Sequence, residues 1–192
     1  HKQFNLKIFL DLKLHDIPNT VSKAIKSLHG LPIKFLTIHL SGGIEMIKQA
    51  QIAAANYLPD TKLLGVSYLT SLASSDFNEI WNIKEVEIQD SFIRLFQVAS
   101  NVNLDGLILS PHELIMAKQV EEKSKHNFIK ITPGIRFLDE INSDNTQDQK
   151  RISTPTEAIN NGADFLVIGR SLTQSSNLQA RIQELATSYN AQ

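Results

Sequence analysis

The side chains with the most chemical potential in this 192-residue chain lie in one short stretch, Asp11-Leu12-Lys13-Leu14-His15-Asp16-Ile17-Pro18-Asn19-Thr20. Two carboxylates and an ammonium this close together can hold a proton donor, orient it and present it to a bound substrate. On a regular strand Asp11 and Lys13 project from the same face, because side chains alternate with a period of two. Two ionisable groups side by side inside a parallel sheet are costly unless they pair with each other or with a substrate. A structural ion pair at a strand end accounts for Asp11 and Lys13 taken alone. Asp16, with Pro18 fixing the turn that follows, shifts the reading to a catalytic centre. His15 and His39 invite an acid-base role but read more simply as hydrogen-bonded structural histidines.

Positioning such residues requires a scaffold, and β-rich runs alternate with helical patterns along the whole chain. Strands are predicted over Leu6–Leu12, Phe35–Leu40, Leu63–Leu69, Gly106–Ser110, Phe128–Thr132 and Phe165–Gly169. The first is mostly apolar, as for a strand covered on both faces. Helical spacing occupies Thr20–Leu28 (Val21, Ala24, Ile25, Leu28), then the Ile44, Ile47, Ala50, Ala54, Ala55 stripe, Ile88–Val102, Pro111–Lys123, Thr154–Asn161 and Leu178–Ser188. Ser74, Ser75 and Asp76 lie in a polar connecting segment, and 139–151 is a hydrophilic loop without apolar period. Asp105 and Asp164 precede apolar strands and read as loop residues at the end opposite the site.

Six successive β/α units imply parallel strands with right-handed crossovers. No strand is followed by a Gly-rich dinucleotide fingerprint, which removes the main reason to favour an open doubly wound sheet. Polar and small residues gather instead at strand carboxyl ends, where barrels place their active sites. The expected fold class is therefore α/β, a (β/α)8 TIM barrel in a single domain spanning 1–192. A full barrel has eight strands and typically about 250 residues. Six of the eight β/α units are expected here (strands 3 to 8 with their helices), the first two being absent at the front.

Composition narrows the function. Lys plus Arg total 19 and Asp plus Glu total 20, a net charge of −1. That balance gives no support for a nucleic-acid or polyanion binder, so any phosphate recognition must be local. There are no cysteines, which excludes disulfides, thiolate catalysis and zinc–thiolate sites. No window is long and apolar enough to span a membrane and no signal peptide opens the sequence; a cytoplasmic location is expected.

The segment 11–20, followed by Val21, resembles the D-x-K-x-x-D-I-P-x-T signature of the orotidine 5'-phosphate decarboxylases. His39-Leu40-Ser41-Gly42-Gly43 is similar to that family's H-x-x-G-G, Leu69-Thr70-Ser71 to its L-T-S, and Thr132-Pro133-Gly134-Ile135-Arg136 to its T-P-G-I-R. Asp148-Gln149-Lys150-Arg151 resembles D-Q-x-R. Val167-Ile168-Gly169-Arg170-Ser171-Leu172-Thr173 resembles V-x-G-R-x-I-T with Leu172 in place of Ile. Six short matches in the right order are specific where any single one is not.

The resemblance implies replacement of the C6 carboxylate of orotidine 5'-phosphate by a proton, giving uridine 5'-monophosphate in pyrimidine biosynthesis, with no cofactor and no metal. It makes Lys13 the proton donor, Asp11 its holder and a like charge beside the departing carboxylate, and Asp16 the completion of the array. Asp16, Ile17 and Thr20 are implied to reach the site of the partner subunit in a homodimer. Thr70 is implied to contact the pyrimidine; as an isolated residue it could equally be a turn or helix cap. Arg136, Gln149, Gly169 and Arg170 are the implied phosphate ligands, and an Arg fork with a strand-end backbone N–H suits phosphate oxygens.

Two departures accompany the resemblance. The family's strand 1 Asp and strand 2 Lys have no counterpart before Asp11, and the loop between Arg136 and Gln149 is longer than usual. A protein that began at His1 is therefore expected to decarboxylate little. Two other readings remain at this point. One is a magnesium-dependent sugar-phosphate decarboxylase or synthase of the related barrel family, which shares the Asp-x-Lys-x-x-Asp core. The other is a non-catalytic phosphate-ligand-binding remnant.

Overall fold

A computed structural model describes residues 6–142 and 153–190. Six strands, β1 (Ile8–Leu14), β2 (Ile33–His39), β3 (Lys62–Val66), β4 (Gly106–Ile108), β5 (Ile129–Thr132) and β6 (Phe165–Leu166), follow one another in chain order. Each registered pair is parallel. Between them lie α1 (Pro18–Ser27), α2 (Gly43–Tyr57), α3 (Ser74–Trp81), α4 (Ile88–Asn101), α5 (Leu114–Ser124), α6 (Leu138–Asn142) and α7 (Pro155–Asn160), and after β6 come α8 (Arg170–Thr173) and α9 (Leu178–Asn190). The chain falls into two compact units. The first comprises His1–Ser67, Ile93–Ile108 and Val120–Ile129; the second comprises Tyr68–Phe92, Leu109–Gln119 and Lys130–Gln192.

In the first unit the apolar runs behave as buried strands. Leu36, Thr37 and Ile38 of β2 are fully buried, as are Leu63, Leu64 and Val66 of β3, so both faces of each strand are covered. α2 buries Met46, Ile47, Ala50, Ala53 and Ala54, the i, i+1, i+4, i+7, i+8 stripe of an amphipathic helix. α1 starts on Pro18, whose missing N–H costs nothing at a first helical position, and buries Val21 and Ile25 one turn apart. A Cβ on Gly106 would sit 2.3 Å from the Ile129 carbonyl oxygen, so only glycine lets β4 and the start of β5 approach this closely.

β1 departs from expectation. Leu12 is 47% exposed and no residue of the strand is fully buried. Among the described residues β1 is registered with β2 alone, so a run that reads as covered on both faces is open along one edge.

Asp105 and Asp164 are more than loop residues. Asp105 accepts the Leu63 backbone N–H at 2.9 Å and pairs with Lys62 Nζ at 2.7 Å. In the second unit Asp164 accepts the Lys130 N–H at 2.7 Å and lies 3.9 Å from Lys130 Nζ. In each case an aspartate preceding one strand fastens the start of the strand before it.

The second unit also shows helices that the sequence pattern does not reveal. Ser74–Asp76 opens α3 rather than a loop, because Asp76 Oδ2 accepts the Ala73 N–H at 2.6 Å and satisfies a helix-end donor. Leu138–Asn142 of the hydrophilic loop is helical; 143–152 lies outside the described residues. α7 begins on a reciprocal cap in which Thr154 Oγ1 accepts the Glu157 N–H at 3.2 Å and Glu157 returns a carboxylate oxygen to the Thr154 N–H at 3.0 Å. β6 is shorter than expected, although the Val167 N–H still bonds the Thr132 carbonyl at 2.9 Å.

Replacing Asp105 by Ala strands the Leu63 amide and should lower the unfolding free energy by about 1–3 kcal/mol. Urea unfolding measures it; an unchanged midpoint would show that the clamp carries no weight.

Candidate active site

The first unit holds the charged stretch. Lys13 Nζ lies 2.5 Å from Asp11 Oδ2, and the two side chains are 36% and 42% exposed. The expected pair is present, but it is not a buried one: both groups face solvent, so their attraction alone contributes at most about 1 kcal/mol. Its geometry also differs from that of a regular strand. Lys13 has φ +49°, in the left-handed region that costs a side-chain-bearing residue about 1 kcal/mol or more. Leu10 pairs with Leu36 and Leu14 with Ile38. Asp11, Leu12 and Lys13 therefore oppose a single residue of β2, Thr37, in a bulge.

Thr37 stabilises this bulge. Its Oγ1 accepts the Lys13 backbone N–H at 2.8 Å and donates to Asp11 Oδ1 at 2.8 Å. The sequence offers no sign of this role, since Thr37 lies in an apolar run and 24 residues separate it from Lys13.

His39, two positions further along β2, places its ring 5.0 Å from that of His15. His15 Nε2 lies 3.4 Å from Ser41 Oγ, and a Cβ on Gly42 would come within 3.3 Å of the His15 ring. The His39 pKa is lowered from its ordinary value. Burial is the largest cause; His15 and Lys13 add to it, while Asp11 and a backbone hydrogen bond with Ser67 oppose it.

Asp16 does not join the pair within this chain. Among the described residues its carboxylate meets no cation, and its Oδ1 accepts the Ile17 N–H at 2.7 Å at the start of α1. Asp16, Ile17 (66% exposed) and Thr20 all face outward.

The second unit carries Thr70, Arg136, Gly169 and Arg170; Gln149 lies outside the described residues. Thr70 is half-buried in a turn following Tyr68. The Tyr68 ring is fixed edge-on against Phe77, Trp81 and Phe92 at 4.8–5.1 Å. Arg136 is buried; its Nη1 donates to the Ile135 carbonyl at 2.9 Å and its backbone N–H to Ser153 at 3.0 Å. Gly169 precedes α8, with its carbonyl accepting the Leu172 and Thr173 N–H groups at 2.9 and 3.0 Å; Arg170 is exposed.

Arg181 of α9 is a second residue the pattern did not single out. Its guanidinium lies 4.5 Å from the Phe137 ring, pairs with Asp139 at 2.8 Å and Glu140 at 3.4 Å, and donates to the Ser171 carbonyl. It thereby ties together the segments next to Arg136 and Arg170.

Residues 1–185 match the model of the orotidine 5'-phosphate decarboxylase / HUMPS family. The chain belongs to this family. A relative named orotidine 5'-phosphate decarboxylase from Malacoplasma penetrans is 39% identical over 171 residues, 89% of this chain and 71% of that protein. One of the same name from Ehrlichia chaffeensis is 43% identical over 184 residues, 95% of this chain and 74% of that one. Among solved structures, the Lactobacillus acidophilus orotidine 5'-phosphate decarboxylase superposes with a TM-score of 0.76 at 33% identity, over 98% of this chain and 78% of that one. The Thermotoga maritima enzyme gives 0.65 at 27%, over 96% and 76%. The fold is accordingly that of a partial (β/α)8 barrel.

Because folding lowers the His39 pKa, the unfolded chain binds more protons as pH falls below the ordinary value of 6.5, and the folded state loses stability there. His39→Gln should flatten the fall in thermal midpoint between about pH 7.5 and about pH 5.5. An equally steep fall in the variant would remove His39 as its cause.

Proposed function

We propose that the protein decarboxylates orotidine 5'-phosphate to uridine 5'-monophosphate and carbon dioxide, with Lys13 as the proton donor and no metal or organic cofactor. The observation that carries this reading is the Lys13–Asp11 pair held at 2.5 Å on the bulge of β1, in a chain about 40% identical to proteins of that name.

The chemistry asks for such a pair. When the C6–carboxylate bond breaks, its electrons remain on C6 in the plane of the ring, where no neighbouring group can delocalise them. A fixed ammonium beside C6 stabilises that charge electrostatically. It then transfers a proton from Nζ to C6 as carbon dioxide leaves, and solvent reprotonates the amine. Asp11 keeps the ammonium in place before the substrate arrives.

Thr70 contacts the pyrimidine, and Arg136, Gln149, Gly169 and Arg170 hold the phosphate. The functioning unit is a cytoplasmic homodimer in which Asp16, Ile17 and Thr20 act across the interface. Asp16, Ile17 and Thr20 all lie exposed at the start of α1, where a partner subunit can reach them. No helix among the described residues is long and apolar enough to cross a membrane.

Lys13→Ala should lower kcat by about 10³-fold or more while leaving binding of uridine 5'-monophosphate largely intact. Loss of absorbance on decarboxylation and titration calorimetry read the two effects. Turnover within about tenfold of the unsubstituted protein would remove Lys13 as proton donor.

A further inference from the structure

The ion pair and the backbone beneath it share one small group. A hydroxyl has one proton to donate and lone pairs to accept with. At Thr37 the proton is directed to Asp11 Oδ1 at 2.8 Å and a lone pair takes the Lys13 N–H at 2.8 Å. Neither contact can reverse direction, since a backbone N–H only donates and an ionised carboxylate only accepts. Asp11 uses its other oxygen, Oδ2, for Lys13 Nζ. Asp11, Lys13 and Thr37 thus close a loop that runs from the lysine ammonium through the carboxylate and the hydroxyl back to the lysine amide.

We propose that Thr37 is the positioning residue of this site: its hydroxyl sets the Asp11 carboxylate and the Lys13 backbone together, and so fixes where the Lys13 ammonium delivers its proton. The inference rests on the decarboxylase reading above.

Three features make the hydroxyl specific to this task. The bulge removes Lys13 from the ladder between the Leu10–Leu36 and Leu14–Ile38 pairs, and Thr37 Oγ1 is the acceptor its N–H finds instead. Thr37 is fully buried, so water does not reach the hydroxyl itself, while the carboxylate it bonds is partly exposed. Its χ1 is stiff because the residue is β-branched, and the strand that carries it is registered on both sides, with β1 and with β3. The flexible, partly exposed lysine is in this way referred to a rigid buried strand.

The test compares Thr37→Val, which keeps the shape and removes the hydroxyl, with Thr37→Ser, which keeps the hydroxyl. Thr61→Val serves as control. Thr61 is also buried and donates to the Ile33 carbonyl at 2.8 Å, at the opposite end of the strands. Thr37→Val should reduce kcat by about 10- to 100-fold with KM changed by no more than about threefold. Thr37→Ser should restore most of kcat, and Thr61→Val should lower the melting temperature while leaving kcat unchanged. Thr37→Ala takes the place of the valine variant if that protein does not fold, with the same loss expected.

Wild-type kcat in Thr37→Val, a loss that serine does not rescue, or an equal loss in Thr61→Val would each overturn the inference. Should the protein expressed from its whole reading frame fail to decarboxylate, the reading of function fails. Thr37 is then decided by hydrogen exchange at the Lys13 amide: exchange that speeds up in Thr37→Val but not in Thr61→Val supports the positioning role, and unchanged exchange overturns it.

Discussion

A lysine proposed to give up a proton at a defined point in space is a poor candidate for rigidity. Its side chain has four rotatable bonds, and here it is partly exposed, so a salt bridge alone would hold it weakly against water and side-chain entropy. Rigidity comes instead from the backbone. β1 takes in extra residues opposite Thr37, Lys13 adopts a left-handed conformation, and the buried threonine occupies the gap in the ladder. The bulge costs energy locally. It persists because the neighbouring strand, fixed on both sides, over-determines it.

The rest of the first unit can be understood as support for that strand. β2 is covered on both faces and registered with β1 and β3. Asp105 fastens the start of β3 through the Leu63 N–H and Lys62, and the tilted His15 and His39 rings lie 5.0 Å apart, with His15 beside Ser41. His39 remains neutral more readily than an isolated histidine because burial, with His15 and Lys13 nearby, opposes its protonation more than Asp11 and the Ser67 backbone favour it.

Much of this was legible in the sequence, and for identifiable reasons. Asp11 and Lys13 are two apart, so simple alternation places them together, although the chain reaches that proximity through a bulge rather than a flat strand. Apolar periodicity located all six strands and most helices. Thr37 was invisible because its significance lies in register: only the pairing of β1 with β2 brings it opposite Lys13. Arg181 was invisible for the same reason, being drawn to Asp139 and Glu140 by the packing of α9. α3 was hidden because Ser74, Ser75 and Asp76 favour loops and helix starts alike, and the Asp76 cap decides between them. β1 reads as covered on both faces, but an apolar run does not report what lies against it, and Leu12 is exposed.

The proposed function rests on proton replacement at C6 by Lys13 without metal assistance. It is tested most directly by incubating the chelator-treated protein with carboxyl-¹³C orotidine 5'-phosphate in D2O and following the reaction by NMR. Equal amounts of ¹³C-labelled carbon dioxide (with bicarbonate) and uridine 5'-monophosphate carrying deuterium at C6 are expected, at a rate that added magnesium does not change. Turnover that appears only when magnesium is restored, or intact orotidine 5'-phosphate alongside conversion of a sugar phosphate, would contradict it.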